Sequence, residues 1–194
     1  MKKNLEIRIH GRGGQGSVTA AELLAVAAFY DGKFSQAFPN FGVERRGAPV
    51  EAYVRIADEK IRLREQIYNP DYLIVQDSGL IKVAPQVKKG LKKVKGILIN
   101  SQKSKAELWP GIRCKNFYTV PATQIAVEII GKPFINTAVL GAFTAMSQVV
   151  SIKSLERAIK EKFVGKGEKI QITNVQAMKK AYQYIKDNYN LEKE

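Results

Sequence analysis

The sequence predicts an α/β fold, and three patterns carry that prediction. Residues 5–10 alternate as a strand should, Gly11-Arg12-Gly13-Gly14-Gln15-Gly16 forms a glycine-rich turn, and residues 17–30 read as a helix. The compact apolar runs in residues 71–75 and 96–100 suit strands covered on both faces. The chain closes with two amphipathic helices, one striped by Ile152, Leu155, Ile159 and Phe163, the other by Val175, Met178, Tyr182, Ile185 and Tyr189. Together these describe one Rossmann-like three-layer domain over residues 1–194, on a mixed, mostly parallel sheet that includes a β-hairpin. A chain of 194 residues is long enough to bury a substantial core.

In chain order, Asp31-Gly32 turns into a short second strand at 34–38. A loop follows, Pro39-Asn40-Phe41-Gly42-Val43-Glu44-Arg45-Arg46-Gly47-Ala48-Pro49, with two adjacent arginines. Val50, Ala52, Val54 and Ile56 mark an alternating strand at 50–57. Asp58-Glu59-Lys60 is expected to turn, with 61–63 returning antiparallel as the hairpin. The strand at 71–75 ends in Gln76-Asp77-Ser78-Gly79, a strand-end turn of the kind that carries ligand groups in α/β proteins. Asp77 fits equally as an N-cap for a helix starting near Leu80.

Residues 81–93 are expected to be helical despite Pro85, and 101–110 form a polar connection. A further strand at 116–120 leads through Pro121-Ala122-Thr123 into a helix at 124–130. Between Lys132 and Lys153 there is no charged residue. This interval includes Pro133, Asn136, Thr137, Thr144, Ser147 and Gln148, so it predicts a buried helix and not the roughly twenty apolar residues of a membrane span.

Composition narrows the function classes. One cysteine, Cys114, excludes a disulfide framework and any self-contained iron–sulfur or cysteine-rich zinc site. One histidine, His10, argues against a histidine metal site. With Met1-Lys2-Lys3 running directly into a strand, no signal core is visible, and a cytoplasmic location is expected. Thirty-two Lys and Arg against eighteen Asp and Glu give a net charge of +14, which attracts nucleic acid, anionic cofactors or acidic partner subunits. The runs Lys88-Lys89, Lys92-Lys93-Lys95 and Lys160-Glu161-Lys162 also read as solvated faces. They lack interleaved aromatics, so no specific nucleic-acid site is expected, nor a membrane one.

The glycine turn has the spacing Gly11-x-Gly13-x-x-Gly16 in a strand–turn–helix setting. Such a turn points backbone N–H groups and a helix N-terminus at a phosphate. The acidic residue that would hold a ribose about twenty residues on is missing; Phe34-Ser35-Gln36-Ala37-Phe38 stands there. A pyrophosphate cradle is therefore supported and NAD specificity is not. The glycines equally serve to pack the helix on the sheet. Arg45 and Arg46 provide guanidinium forks suited to phosphate or carboxylate, or an ion pair with Glu44 or Glu51. No nucleophile elbow, paired carboxylates, metal cluster or Walker lysine appears. Along the first helix, Glu22 is the only charge between Val18 and Tyr30, so that helix must be covered on more than one side.

The glycine turn, together with Phe38-Pro39-Asn40-Phe41-Gly42-Val43-Glu44-Arg45-Arg46-Gly47-Ala48-Pro49-Val50, Asp71-Tyr72-Leu73-Ile74-Val75 and Asn136-Thr137-Ala138-Val139-Leu140-Gly141-Ala142, resembles the gamma subunit of 2-oxoacid:ferredoxin oxidoreductases such as pyruvate:ferredoxin oxidoreductase. The resemblance spans nearly the whole chain. It implies a complex that oxidatively decarboxylates a 2-oxo acid (pyruvate, giving acetyl-CoA) and reduces ferredoxin. Alpha and beta subunits would supply thiamine diphosphate and Mg, and a delta subunit the [4Fe-4S] clusters; this chain would hold none of them. Coenzyme A would bind at or near this chain, with Gly11, Gly13, Gly14 and Gly16 giving backbone access, Gln15 a polar contact, and Arg12, Arg45 and Arg46 charge. Asn136 and Thr137 are further candidates, or only a helix cap. The beta subunit of indolepyruvate ferredoxin oxidoreductase and a free-standing nucleotide-binding regulator are the alternatives.

Overall fold

The computed structural model describes residues 4–40, 47–189 and 191. Six strands form one mixed sheet in the order β2-β3-β1-β4-β5-β6. They are β1 (Leu5–Arg12), β2 (Phe34–Asn40), β3 (Pro49–Ala57), β4 (Tyr72–Val75), β5 (Gly96–Asn100) and β6 (Phe117–Val120). β1, β4, β5 and β6 run parallel, and β3 is antiparallel to both β1 and β2. Because successive strand residues face opposite ways, the register separates the side chains into two sets. Ala52, Ile9, Ile74 and Leu98 form a row across one face, and Tyr53, Arg8, Leu73, Ile97 and Phe117 a row across the other.

The first face carries the long helices: α1 (Ser17–Tyr30), α4 (Ala122–Ile130), α5 (Asn136–Ser147), α6 (Ile152–Lys162) and α7 (Glu168–Asn188). They share one buried apolar cluster with the strands. As its uncharged sequence predicts, α5 is buried along almost its whole length. It packs closely against α7 because position 141 is glycine: a Cβ there would lie 2.0 Å from the Met178 carbonyl oxygen. Asp31, at the end of α1, accepts hydrogen bonds from Ser151 N–H (2.6 Å) and the Ser154 hydroxyl (2.6 Å), joining α1 to the start of α6. At the outer edge, Tyr189 Oη accepts from Thr119 N–H of β6 (2.9 Å). No helix among the described residues is long and apolar enough to cross a membrane.

The second face is covered thinly. Over β4–β6 lie the single-turn helices α2 (Leu80–Val83) and α3 (Lys105–Leu108), with 3-10 turns at Pro85–Lys88 and Leu91–Lys93. The continuous helix expected at 81–93 is therefore interrupted. Proline lacks an amide donor and disfavours the helical region for its predecessor; Ala84 is accordingly extended (φ −118°, ψ 94°). Gly90 then takes a left-handed conformation (φ 72°) directly over the Tyr68 carbonyl. The polar connection 101–110 gains a helical turn because Ser104 and Glu107 form a capping box.

The expected hairpin at 50–63 does not form. β3 is already flanked by β1 and β2, so residues 61–63 have no strand edge to join. The antiparallel partner is β2, which extends through Pro39 to Asn40 on the sheet edge, where a missing amide is tolerated. Two buried arginines organise the strandless segment instead. Arg8 donates to the carbonyls of Ile67, Gln86 and Lys89 (3.4, 3.1 and 2.6 Å), and Arg55 pairs with Glu6 (2.9 Å) while donating to the Glu65 carbonyl (2.5 Å).

Candidate functional site

The glycine turn lies where the chain passes from β1 to α1, beside the end of β4. This is the point at which connections leave β1 in one direction along the sheet and β4 in the other, the usual ligand crevice of open α/β sheets. The turn braces itself. Gln15 Oε1 accepts from Arg12 N–H (2.7 Å), and Gln15 N–H donates to the Arg12 carbonyl (2.9 Å). Gly13 N–H donates to the Ala48 carbonyl (2.9 Å), and Gly47 N–H to the Gly13 carbonyl (3.2 Å). Gly14 and Gly16 adopt positive φ (95° and 75°), which glycine does without penalty. Among the described residues no side chain caps α1, whose N-cap is Gly16, so the positive end of the helix dipole lies at the turn.

Gly11 serves close packing. A Cβ there would fall 2.2 Å from Ser17 Oγ and 2.5 Å from Gln76 Oε1. Ser17 donates to that same Gln76 oxygen (2.6 Å), and Gln76 N–H donates to the His10 carbonyl (2.7 Å). Gln76 is fully buried, yet its Nε2 has no hydrogen-bond partner among the described residues. A buried donor without an acceptor costs about 1–3 kcal/mol, so this one is a feature to be explained. Arg12 is engaged internally: its Nε pairs with Asp77 Oδ2 at 2.7 Å, and Nη1 donates to the Gly47 carbonyl (3.1 Å). Asp77 also accepts from Gly79 N–H (2.8 Å), but its side chain does not cap α2.

Two clefts flank the turn. One, of about 620 Å3, runs from Gly14 and Gly16 past the end of α4 to Lys132, Phe134, Asn136, Phe163, Lys166 and Lys169. It combines cations with apolar surface. The other, of about 290 Å3, lies outside the carboxyl ends of β4–β6 and is lined by Gln76, Asp77, Ser78, Asn100, Ser101 and Thr123. There Asn100 Nδ2 donates to the Gln76 carbonyl (3.0 Å) and to Thr123 Oγ1 (2.8 Å). Gln15 lines both, so the turn is the ridge between them.

Of the residues expected from the sequence, the structure brings Asn136 to the turn, its Nδ2 lying 3.1 Å from where a Gly16 Cβ would stand. Thr137 is directed the other way: it is buried and donates to Asn174 Oδ1 of α7 (3.0 Å). Arg45 and Arg46 lie outside the described residues. Sequence reasoning missed Lys132, Lys166, Lys169 and Asn100. The lysines carry no distinguishing local pattern in so basic a chain, and Asn100 simply ends an apolar strand.

His10, one residue before the turn, is buried on the opposite face from α1. Its Nδ1 is 3.8 Å from Glu51 Oε1, while burial and then the nearby Arg8 push its pKa down to about 3, keeping the ring neutral. Among the described residues no group of three or more potential metal ligands comes together, and Cys114 is buried with its thiol pKa raised, chiefly by desolvation.

Residues 6–184 match the family model of pyruvate ferredoxin/flavodoxin oxidoreductase. The chain belongs to that family. It is 53% identical over 186 residues to the pyruvate synthase subunit PorC of Methanocaldococcus jannaschii, covering 95% of this chain and 99% of the relative. It is 49% identical over 182 residues to the pyruvate/ketoisovalerate oxidoreductases common subunit gamma of Pyrococcus furiosus, covering 92% and 96%. The crystal structure of pyruvate oxidoreductase subunit PORC from Thermotoga maritima superposes with a TM-score of 0.82 at 33% identity, covering 94% of this chain and 97% of that one. The same fold occurs in a 2-oxoglutarate:ferredoxin oxidoreductase from Magnetococcus marinus, solved with 2-oxoglutarate, coenzyme A and succinyl-CoA bound. That likeness has a TM-score of 0.76 at 23% identity and covers 97% of this chain and 32% of the longer one. Within the pyruvate ferredoxin/flavodoxin oxidoreductase family, this chain is a gamma-type subunit of a 2-oxoacid:ferredoxin oxidoreductase.

Proposed function

We propose that the chain forms one wall of the coenzyme A site of a pyruvate:ferredoxin oxidoreductase, completed by partner subunits. The observation that carries this reading is the glycine turn acting as a ridge between a lysine-bearing apolar cleft and a polar cleft. Coenzyme A has matching parts: a pyrophosphate, a phosphorylated nucleoside and a long, weakly polar pantetheine arm. The N-terminus of α1, uncapped among the described residues, suits the pyrophosphate, and the Nε2 of Gln76, without a partner among them, is a donor that a ligand acceptor would satisfy. Lys132, Lys166 and Lys169 supply charge, as would Arg45 and Arg46. Gly14, Gly16, Gln15 and Asn136 line the passage. Gly11, Gly13, Arg12 and Thr137 support it from behind: Gly11 lets β4 approach, and Arg12 locks the turn to Asp77.

The residues present do not fit a redox centre, which requires several thiolates where this chain has one buried cysteine. On this reading thiamine diphosphate with Mg is carried by alpha and beta partners and the [4Fe-4S] clusters by a delta partner, with ferredoxin as the electron acceptor. The relatives named pyruvate synthase support pyruvate as the 2-oxo acid. A cytoplasmic location and one domain over residues 1–194 are consistent with this role. What this chain's residues do in the reaction is to hold and orient the acyl acceptor; no group of the chain is assigned to bond making.

The test is titration of coenzyme A into the assembled complex carrying Lys132→Ala/Lys166→Ala/Lys169→Ala or Arg45→Ala/Arg46→Ala. Each variant should weaken coenzyme A at least about tenfold, roughly one lost charge-assisted contact, while the complex stays intact. Unchanged affinity together with failed assembly would show an interface instead of a ligand clamp.

A further inference from the structure

The net charge of this chain is concentrated. Residues 80–116 contain ten Lys or Arg and one acid, Glu107, so about a fifth of the sequence carries nine of its fourteen net positive charges. In the fold this segment is the thin layer over β4–β6: α2, the two 3-10 turns, α3 and their connections, with β5 buried beneath. Lys82, Lys88, Lys89, Lys92 and Lys93 are all exposed on it. None of these five has a carboxylate within ion-pair reach among the described residues.

The helical face is built differently. There lysines alternate with acids and pair with them: Lys160 and Lys179 with Glu156 (2.7 and 2.6 Å), and Lys162 with Glu22 (2.8 Å). Solubility alone is served by such mixed signs, whereas one-signed clusters repel and cost stability. Local helix propensity does not explain the cluster either, because the elements carrying it are single turns.

Within this layer are two large exposed apolar side chains, Tyr68 (64% exposed) and Val83 (63%). Arg8 ties the Tyr68 carbonyl to those of Gln86 and Lys89, so the Tyr68 main chain lies beside this lysine-bearing segment. Exposed aromatic and aliphatic side chains on the same layer as a cluster of charge suit a protein interface, which combines apolar contacts with a polar rim. A single-stranded nucleic-acid groove would instead present successive aromatics for base stacking.

We propose that this basic layer docks the carboxylate-rich surface of another polypeptide of the same oxidoreductase complex, with Tyr68 and Val83 at the centre and Lys88, Lys89, Lys92 and Lys93 around them. The proposal rests on membership of a multi-chain complex and not on the coenzyme A assignment: Asn100 and Ser101 of this segment line the polar cleft, but none of Tyr68, Val83, Lys88, Lys89, Lys92 and Lys93 lines either glycine-turn cleft.

The experiment compares complexes assembled with the wild-type chain, with Lys88→Glu/Lys89→Glu/Lys92→Glu, and with a control of equal charge change elsewhere, Lys60→Glu/Lys153→Glu/Lys186→Glu. Retention of this chain in the complex is read by analytical ultracentrifugation at low and high salt, and folding by circular dichroism. The layer variant should bind its partners at least tenfold more weakly at low salt with an unchanged fold, and wild-type association should weaken as salt rises. The control should assemble normally. Equal loss in both variants would show that only net charge matters and overturn the proposal, as would full retention of the layer variant. If that variant stayed in the complex but lost affinity for single-stranded RNA, the layer would be a nucleic-acid site, and the proposal would be wrong. A layer variant that loses its partners and its fold together is resolved by Tyr68→Ala/Val83→Ser, two exposed positions whose loss should weaken the same association.

Discussion

His10 shows how burial decides what a residue can do. It is the lone histidine of the sequence and stands one residue before the glycine turn. Its burial beside Arg8 keeps it neutral, with its pKa lowered to about 3. The consequence is for stability. The unfolded chain takes up a proton near pH 6.5 that the folded chain refuses until about pH 3, so stability rises with pH through that window. The slope from this residue is at most about 1.4 kcal/mol per pH unit. Thermal melts between pH 6.5 and 4.5, above the range where most carboxylates titrate, should show a falling midpoint for the wild type and a flatter one for His10→Gln. Parallel curves for the two proteins would remove His10 as the cause. Gly11 and Gln76 show the complementary case, in which a glycine of the turn is required by a neighbour 65 residues away in the chain that no local pattern discloses.

At the level of elements, α5 and α7 form the spine of the helical layer, and Gly141 sets their separation. In an isolated helix, Gly→Ala gains up to about 1 kcal/mol. Here the added methyl would meet a main-chain carbonyl at 2.0 Å, and main chain within a helix cannot move alone. Gly141→Ala should therefore destabilise by about 1–3 kcal/mol, lowering the melting midpoint by several degrees for a chain of this length. Calorimetry of the purified chain decides it, and a raised midpoint would show that the helices separate without cost. Helical periodicity predicted α1, α5, α6 and α7 well because each has one apolar side or is apolar throughout. It failed at 81–93, where the spacing of Leu80, Val87 and Leu91 mimics a helix that Pro85 and Gly90 interrupt.

The whole molecule joins a thick helical layer to a thin basic one across a single sheet, with the glycine turn at the carboxyl ends of the parallel strands. If partner subunits complete the coenzyme A site, linkage should show it. A ligand at about 100 times its dissociation constant adds about 2.7 kcal/mol to the stability of the state that binds it. Coenzyme A should raise the unfolding midpoint of the assembled complex more than that of the isolated chain. Equal shifts in the two would mean that this chain binds the whole ligand alone.

The sequence by itself determined the α/β class, the strand–turn–helix unit at residues 5–30, the buried character of α5 and the family, because these depend on local period, glycine placement and contiguous motifs. Tertiary structure alone decided which strand pairs with β3, that Arg12 is neutralised by Asp77, and that Thr137 faces α7 while Asn136 reaches the turn. It also gathered Lys132, Lys166 and Lys169 into one cleft and spread the lysines of residues 80–95 over one face. The physical reason is that periodicity reports which side of an element is buried, whereas pairing partners, ion pairs and convergent charges depend on contacts between segments far apart in the chain.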